Sequence, residues 1–255
     1  MVANSGHSLG NQMKFLKGNK WVKLDTPGWC ESVSEVVVSE LQKHITNKRP
    51  FVDYDFYRDG TALGCISSSF LKEGETCKPI YSMSKGYNLP ISSGGIELKN
   101  ALVGLFNMEY EVNLENYLGY MIYLDAITLN VDRHLRNIAV ICRNGKPIRP
   151  TPIFDNGLSL CSFVKSDDLS LQDLVEISEA QPFNKDFMEQ IKLFDNPEIT
   201  IDSEGLMSKF ELVLQKPWNF VPEENQGARA RKLVRSIQLL TYRLNQTEGV
   251  LWQRS

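Results

Sequence analysis

Acidic and amide side chains are concentrated in two short stretches near the middle of this 255-residue sequence. The first covers residues 130–137, and the second is Asp-Asn-Gly at residues 155–157. The apolar residues 138–142 between them are typical of a buried strand. Oxygen ligands at the two ends of a hairpin can hold metal ions against a polyphosphate, because Mg²⁺ prefers hard oxygen ligands. We therefore expect Mg-dependent phosphoryl transfer.

Asp132 and Asn137 have the spacing Asp-x4-Asn, which protein kinases use in their catalytic loop. In that loop the Asp accepts the proton of the acceptor hydroxyl and the Asn binds Mg²⁺. Asp155 stands at the place of the Asp in the kinase Asp-Phe-Gly motif, which holds Mg²⁺ across the phosphates. The three residues have the types and the order that phosphoryl transfer needs, since it depends on positioning, charge neutralisation and a base near the acceptor.

Each of these polar residues has a simpler interpretation when it is taken alone. His134 would be a structural histidine, and Asp155 in an Asp-Asn-Gly turn would be ordinary turn chemistry. Their joint occurrence in this order, on either side of an apolar hairpin, favours a kinase-type site.

Two upstream features could position a nucleotide beside these stretches. Residues 2–14 are mostly small and polar, and their glycines permit backbone conformations in which amides face an anion. A flexible N-terminus is the simpler interpretation of that segment. Lys23 lies in a predicted strand and Glu35 in a predicted helix at residues 31–45, which matches the lysine–glutamate pair of protein kinases. A lysine in such a strand more commonly points to solvent.

The remaining pattern divides the chain into two lobes. Apolar and turn residues predict strands at residues 13–16, 21–24, 51–57, 62–67 and 77–82. Residues 1–82 are therefore expected to form a small, mainly antiparallel lobe with one helix, which binds the nucleotide. Residues 83–95 are rich in Ser, Gly, Asn and Pro and are predicted to form a connecting loop. Residues 96–255 are expected to form a mainly helical lobe.

The helical lobe must carry the two polar stretches. Asn113 is predicted to cap a helix that ends near Leu129 and leads directly into residues 130–137. A hairpin at residues 138–154 then separates the stretches. Further helices are predicted at residues 169–178, 185–194, 203–214 and 223–245. The basic residues of the last helix are predicted to form a solvated face: Arg229, Arg231, Lys232, Arg235 and Arg243.

The overall composition excludes several classes of protein. A net charge of −3 lacks the basic excess of a nucleic-acid binder, and 42% hydrophobic with 23% charged residues is typical of a globular protein. Five cysteines without a Cys-x-x-Cys pair, and only three histidines, argue against a zinc site. The first residues lack the charged-then-apolar pattern of a signal peptide, and no apolar run reaches membrane-spanning length. We expect a cytoplasmic protein, and a non-classical route of secretion into a host stays open.

The two polar stretches together resemble the HipA-type serine/threonine kinases. The resemblance rests on Asn-x-Asp-Arg-His-x-x-Asn at residues 130–137, followed by Phe-Asp-x-Gly at residues 154–157. A glycine-containing loop that ends in Gln-x-Lys at residues 12–14 comes first, then Lys23 and Glu35, in the order of that family. The family shares its fold with the phosphatidylinositol 3/4-kinases. The resemblance therefore implies an α+β, bilobal, protein-kinase-like fold.

The resemblance also implies a role for each matching residue. Asp132 would be the general base, Asn137 and Asp155 would bind Mg²⁺, and ATP would be the phosphate donor. Asn130, Arg133 and His134 would support the catalytic loop. The ATP-binding residues would be Ser8, Gly10, Asn11, Gln12, Lys23 and Glu35. Members of the family can autophosphorylate a serine near the phosphate loop, for which Ser5 and Ser8 are the candidates.

The sequence says less about partners and substrate than about the reaction. The chain is similar to compact, stand-alone members, so a small antitoxin-like inhibitor, or an N-terminal subdomain supplied in trans, is a possible partner. Direct contact with nucleic acid or membrane is not expected. Two alternatives to a protein kinase stay open. One is a lipid or small-molecule kinase of the phosphatidylinositol kinase type, and the other is a nucleotide-binding pseudokinase or toxin component that acts by binding.

Overall fold

A computed structural model describes residues 12–27, 29–60, 62–91, 94–110, 113–164, 168–195, 199–215 and 227–251. Its strands are β1 (Lys14–Lys17), β2 (Lys20–Leu24), β3 (Asp55–Asp59), β4 (Ala62–Ser68), β5 (Glu75–Pro79), β6 (Ala139–Arg143) and β7 (Lys146–Pro150). Its helices are α1 (Glu31–Lys43), α2 (Ile80–Tyr87), α3 (Gly95–Tyr110), α4 (Glu115–Thr128), α5 (Leu171–Glu176), α6 (Phe187–Ile191), α7 (Ser203–Gln215) and α8 (Gly227–Leu251). The predicted α+β class is confirmed.

Four strands near the N-terminus form an antiparallel sheet in the order β1-β2-β4-β3. The turn between β1 and β2 contains Gly18 with φ 65°, a conformation that glycine adopts at little cost. The register of this hairpin places Lys14 directly opposite Lys23. Helix α1 packs against β3 and β4, so its inner face meets the sheet that carries Lys23.

A second sheet carries the hairpin between the two polar stretches. It has the order β5-β6-β7, so β5 pairs with β6 rather than with the N-terminal sheet. The sequence predicted a loop from residue 83, and this was wrong because α2 runs through Ile80–Tyr87. Pro79 stands at the start of α2, and Ile80 is fully buried in the main core. Such a short helix is stabilised mainly by tertiary packing. Its sequence therefore shows only a weak helical pattern of apolar residues.

Helix α4 runs through the centre of the main core. All of its residues from Tyr117 onward are buried, as expected for a helix that is apolar on every side. The helix is followed by its C-cap residue Leu129, whose φ of 50° turns the chain into the first polar stretch. At the other end the cap is Leu114, one residue later than predicted, while Asn113 Oδ1 accepts a hydrogen bond from the Asn116 amide at 3.4 Å.

The predicted solvated face of α8 is wrong for three of its five basic residues. Arg229, Lys232 and Arg243 are buried, because α8 packs against both α1 and α4. Arg243 donates to the carbonyl of Ala126 in α4 at 2.8 Å, and Lys232 donates to the carbonyl of Val164 at 2.8 Å. Within the residues described, no helix has the length and apolar character needed to cross a membrane.

Candidate active site

Lys23 stands at the centre of the candidate site. It is buried in β2, and its Nζ lies 2.5 Å from Glu35 Oε1 and 2.8 Å from Asp155 Oδ1. The ring of Tyr54 lies beneath the ammonium group, with its centroid 5.0 Å from Nζ. The structure therefore brings together one residue from a strand, one from α1 and one from the second polar stretch.

Opposite charges keep this group ionised despite its burial. Burial alone would lower the pKa of Lys23, but the carboxylates of Asp155 and Glu35 hold that pKa well above its usual value. Burial would likewise raise the pKa of Asp155, yet Lys23, Lys14 and Arg133 hold it well below the usual range. The site thus contains a fixed ammonium and a fixed carboxylate in contact.

Lys14 is a further cation at this site, and no role was predicted for it. Its Nζ lies 3.5 Å from Asp155 Oδ2, on the other side of the carboxylate from Lys23. Residues directly opposite each other on paired antiparallel strands have neighbouring side chains, and Lys14 is opposite Lys23. The motif Gln-x-Lys marked its position in the sequence, but only the strand register shows that both lysines face Asp155.

Arg133 connects the two polar stretches. It is 0% exposed, and its Nε and Nη2 donate to the two carboxylate oxygens of Asp125 at 2.9 and 3.0 Å. Its Nη1 donates to the carbonyl of Phe154 at 2.7 Å, and Nη2 also reaches Asn156 Oδ1 at 2.7 Å. A planar guanidinium can satisfy this many acceptors at fixed angles, which a lysine cannot do.

Asp125 and Asn156 are structural members of the site that sequence reasoning missed. Asp125 lies on the last turns of α4 and also accepts a hydrogen bond from Asn130 Nδ2 at 3.0 Å. Asn130 Oδ1 in turn accepts the amide of Asp132 at 3.1 Å. The amide of Asn156 donates to Glu35 Oε2 at 2.9 Å, so Glu35 contacts both Lys23 and the second stretch. Nothing in the local sequence identifies these long-range partners.

Asp132 and Asn137 are adjacent in the first stretch. Asn137 Nδ2 donates to the carbonyl of Asp132 at 3.0 Å and to its Oδ2 at 3.3 Å. The Asp132 side chain is 37% exposed, and His134 Nε2 lies 3.7 Å from its other carboxylate oxygen. Burial and the nearby Asp155 raise the pKa of Asp132, although the neighbouring His134 acts in the opposite direction. Asp132 is therefore an accessible carboxylate with a raised proton affinity.

The N-terminal part of the predicted nucleotide site is only partly visible. Ser5, Ser8, Gly10 and Asn11 lie outside the described residues. Gln12 is half-buried, and its side-chain Nε2 has no hydrogen-bond partner in the part of the chain that the structure describes. A buried polar atom without a partner is costly, so this donor fits a site that is completed by a polar ligand.

The donor set also fits Mg²⁺. The amide nitrogen of Asn137 is bonded to Asp132, which leaves the amide oxygen as the group that can bind a cation. Asp155 is ionised, and a carboxylate with an amide oxygen is the hard-oxygen set that Mg²⁺ accepts alongside phosphate and water. Asn137 and Asp155 are the residues that would hold the ion.

Comparison with known proteins relates this geometry to a fold. No protein-family model and no curated protein matches the sequence. Among solved structures, the Helicobacter pylori proinflammatory kinase CtkA is similar with 14% identity and a TM-score of 0.59, over 98% of this chain and 94% of that chain. Shewanella oneidensis MR-1 HipA, solved with HipB and operator DNA, has 11% identity and a TM-score of 0.49, over 99% and 68% of the two chains. The protein shares the fold of the kinase CtkA.

Proposed function

We propose that this protein is an ATP- and Mg²⁺-dependent kinase that transfers the γ-phosphate to serine or threonine of a protein, including its own chain. The observation that carries the proposal is the position of Lys23 between Glu35 and Asp155, at 2.5 and 2.8 Å. A lysine–glutamate pair and a metal-binding aspartate are both required in protein kinases. In this protein one ammonium group contacts both carboxylates.

The described residues can carry out each part of the transfer. Asp132 accepts the proton of the acceptor hydroxyl. The hydroxyl oxygen bonds to the γ-phosphorus, and the bond between the γ-phosphorus and the β-phosphate oxygen breaks. Lys23 and Lys14 supply positive charge for the phosphates from adjacent strands. Asn137 and Asp155 would hold Mg²⁺, which when bound neutralises charge on the β- and γ-phosphates.

Each lobe has its own proposed function. Residues 1–82 bind the nucleotide, residues 96–255 carry the catalytic and metal-binding stretches, and residues 83–95 connect them. Arg133 and Asn130 hold the first stretch through Asp125, and His134 lies beside Asp132. The partner proposed from the sequence resemblance is a small antitoxin-like protein or an N-terminal subdomain supplied in trans, and the cytoplasm is the proposed compartment.

Incubation with Mg-ATP followed by intact-mass measurement and peptide mapping tests the activity. Wild-type protein should gain phosphate, with Ser5 and Ser8 as the expected sites. Asp132→Asn should slow the transfer about 10²–10⁴-fold, because the base is lost while the side-chain shape is kept. Asp195→Asn is the matched control, since Asp195 is exposed and follows α6, which carries none of the predicted site residues. No transfer to itself or to lysate proteins, with both variants behaving as wild type, would refute the proposal.

A further inference from the structure

A cavity outside the two polar stretches lies beside α1. It has a volume of about 420 Å³ and is bounded by α1, the chain at and before β3, α7 and α8. Neither Lys23 nor any residue of the two polar stretches lines it. The cavity is therefore distinct from the space around these stretches, although Tyr54 lines it as well.

The interior of this cavity is apolar. Val36 and Val37 of α1 line it, together with Phe210 and Val213 of α7. Val37, Phe210 and Val213 are buried. Its volume falls in the range of about 300–1,000 Å³ that is usual for small-molecule sites. The cavity is thus large enough for one aromatic ring system.

The charged residues around the cavity are balanced in sign. Glu40 and Asp55 contribute two carboxylates, and Lys43 and Lys209 contribute two ammonium groups. Lys43 is bound to Asp53 at 2.9 Å and to Glu40 at 3.4 Å. A ligand with net charge gains no overall attraction from such a rim and would have to break existing ion pairs. The chemistry therefore favours a ligand without net charge.

The cavity shares two of its walls with the candidate active site. Tyr54 lines the cavity, and the centroid of the same ring lies 5.0 Å from Lys23 Nζ. Val36 lines the cavity and follows directly after Glu35, the partner of Lys23. A ligand in the cavity therefore contacts Tyr54 itself and the helix that carries Glu35.

We propose that this cavity binds a small, uncharged aromatic molecule, and that its occupancy changes the affinity of the active site for nucleotide. Two sites are coupled when a ligand at one favours a particular conformation of an element that the other also uses. Here α1 and Tyr54 are those elements. The binding part goes beyond the proposed function, and the coupling part rests on it.

Indole without nucleotide is the probe for binding. We expect saturable shifts of the methyl NMR signals of Val36, Val37 and Val213 in the wild-type protein. Benzoate and benzylammonium, which have similar rings and a net charge, should bind at least about tenfold more weakly. Equal binding of all three, or indole binding that leaves these methyl signals unchanged, would overturn the proposal. So would binding of a tryptophan-containing peptide but not of indole.

Filling the cavity supplies the matched pair of variants. Val213→Trp should weaken indole binding at least about tenfold, because the new side chain occupies the cavity. Leu212→Trp on the neighbouring position of α7 should bind indole as wild type does, since Leu212 is 59% exposed. Val213→Phe replaces Val213→Trp if the larger side chain prevents folding. Indole binding that is unchanged by the filling variant would contradict the site.

The coupling is measured as the dissociation constant of Mg-ATP with and without saturating indole, in the Asp132→Asn background to prevent turnover. We expect a change of about fivefold or more, as is usual for coupled sites. The Val213→Trp variant should show no response to indole. An unchanged constant overturns the coupling while the indole titration still stands. Absence of any nucleotide binding would instead refute the proposed function.

Discussion

At the scale of single residues, the site depends on charges that are buried together. Arg133 and Asp125 are both buried. Removing either one would strongly destabilise the protein, because the charge of the other would remain buried without its partner. Burial raises the pKa of Asp125 even in the presence of the guanidinium. The pair therefore holds the first stretch in place without adding much net stability. Removing one partner should lower both the stability of the fold and the catalytic rate.

Replacement of Arg133 by Met should lower the free energy of unfolding by about 3–5 kcal/mol, because Asp125 would remain as an unpaired buried charge. Urea-induced unfolding followed by circular dichroism measures this change. Arg136→Met is the control on the same loop. Arg136 is exposed and rests on the ring of Tyr81, so its replacement should cost only about 0.5 kcal/mol. Equal losses in the two variants would argue against the role of the buried pair.

Glu35→Gln should reduce kcat/KM for Mg-ATP by about 10²-fold, since small displacements of a positioned group have effects of that size. Glutamine keeps the hydrogen bond to the Asn156 amide but removes the charge that holds Lys23. Steady-state kinetics of phosphate transfer is the measurement. Glu31→Gln, one turn earlier on α1, serves as control because the Glu31 carboxylate accepts the Thr26 amide, whereas Lys23 pairs with Glu35 and Asp155. A kinetic effect of Glu31→Gln as large as that of Glu35→Gln would contradict this assignment.

At the scale of elements, the sheet β5-β6-β7 sets the distance between the two polar stretches. Its strands are tied together by Glu75, whose side chain is 1% exposed and accepts hydrogen bonds from Arg149 at 2.9 and 3.0 Å and from Arg143 at 3.1 Å. The sheet also leads directly into α2. The first amides of α2, on Ile80 and Tyr81, donate to the carbonyls of Ile138 and Leu135 and so join this helix to the first stretch.

Glu75→Gln should destabilise the protein at pH 7, and the difference from wild type should shrink in acid. The hydrogen bonds from Arg149 lower the pKa of Glu75 to about 2, from an ordinary value of 4.5. A depressed carboxylate pKa contributes stability that is present above the unfolded-state pKa and is lost as the pH falls through the folded-state value. The difference should therefore decline between pH 4.5 and about pH 2.

Urea unfolding of wild type and Glu75→Gln at pH 7 and pH 3 measures this dependence. Glu73→Gln is the control, because Glu73 is exposed and lies only two residues away. A destabilisation by Glu75→Gln that is the same at both pH values would show that packing, rather than the ion pairs, accounts for the loss.

At the scale of the whole molecule, the C-terminal helix holds the element that carries Glu35. Helix α8 packs along α1, and Arg229 near its start is paired with Asp25 at the end of β2. Asp25 also accepts the amide and the hydroxyl of Ser32 at 2.8 and 2.9 Å. The first turn of α1, whose own cap residue Cys30 makes no side-chain capping bond, is thus capped from a distance.

Asp25→Asn should lower the free energy of unfolding by about 3–5 kcal/mol, because it removes the carboxylate charge that faces the buried guanidinium of Arg229. Hydrogen exchange should show the loss first in the amides of α1 and the first turns of α8. Asp59→Asn, an exposed position in β3, is the control. Faster exchange spread evenly over all helices would contradict a local tie between these two elements.

The sequence by itself determined the reaction chemistry expected of this protein and the class of its fold. Residues 130–137 and 154–157 contain the acidic and amide side chains that phosphoryl transfer needs. Both the residue types and their order can be read directly from the sequence. Lys23 and Glu35 were placed on a strand and a helix by local periodicity, and the structure has them on β2 and α1. Such features depend on near neighbours along the chain.

Only the tertiary structure decided which residues meet. Lys14 joins Asp155 because of the strand register, and Asp125 meets Arg133 because α4 ends beside the first stretch. Basic residues of α8 are buried because the helix packs against both α1 and α4. The residue types alone predicted that they would be exposed. A long-range contact depends on the free energy of the whole packed molecule, so local sequence patterns do not contain it.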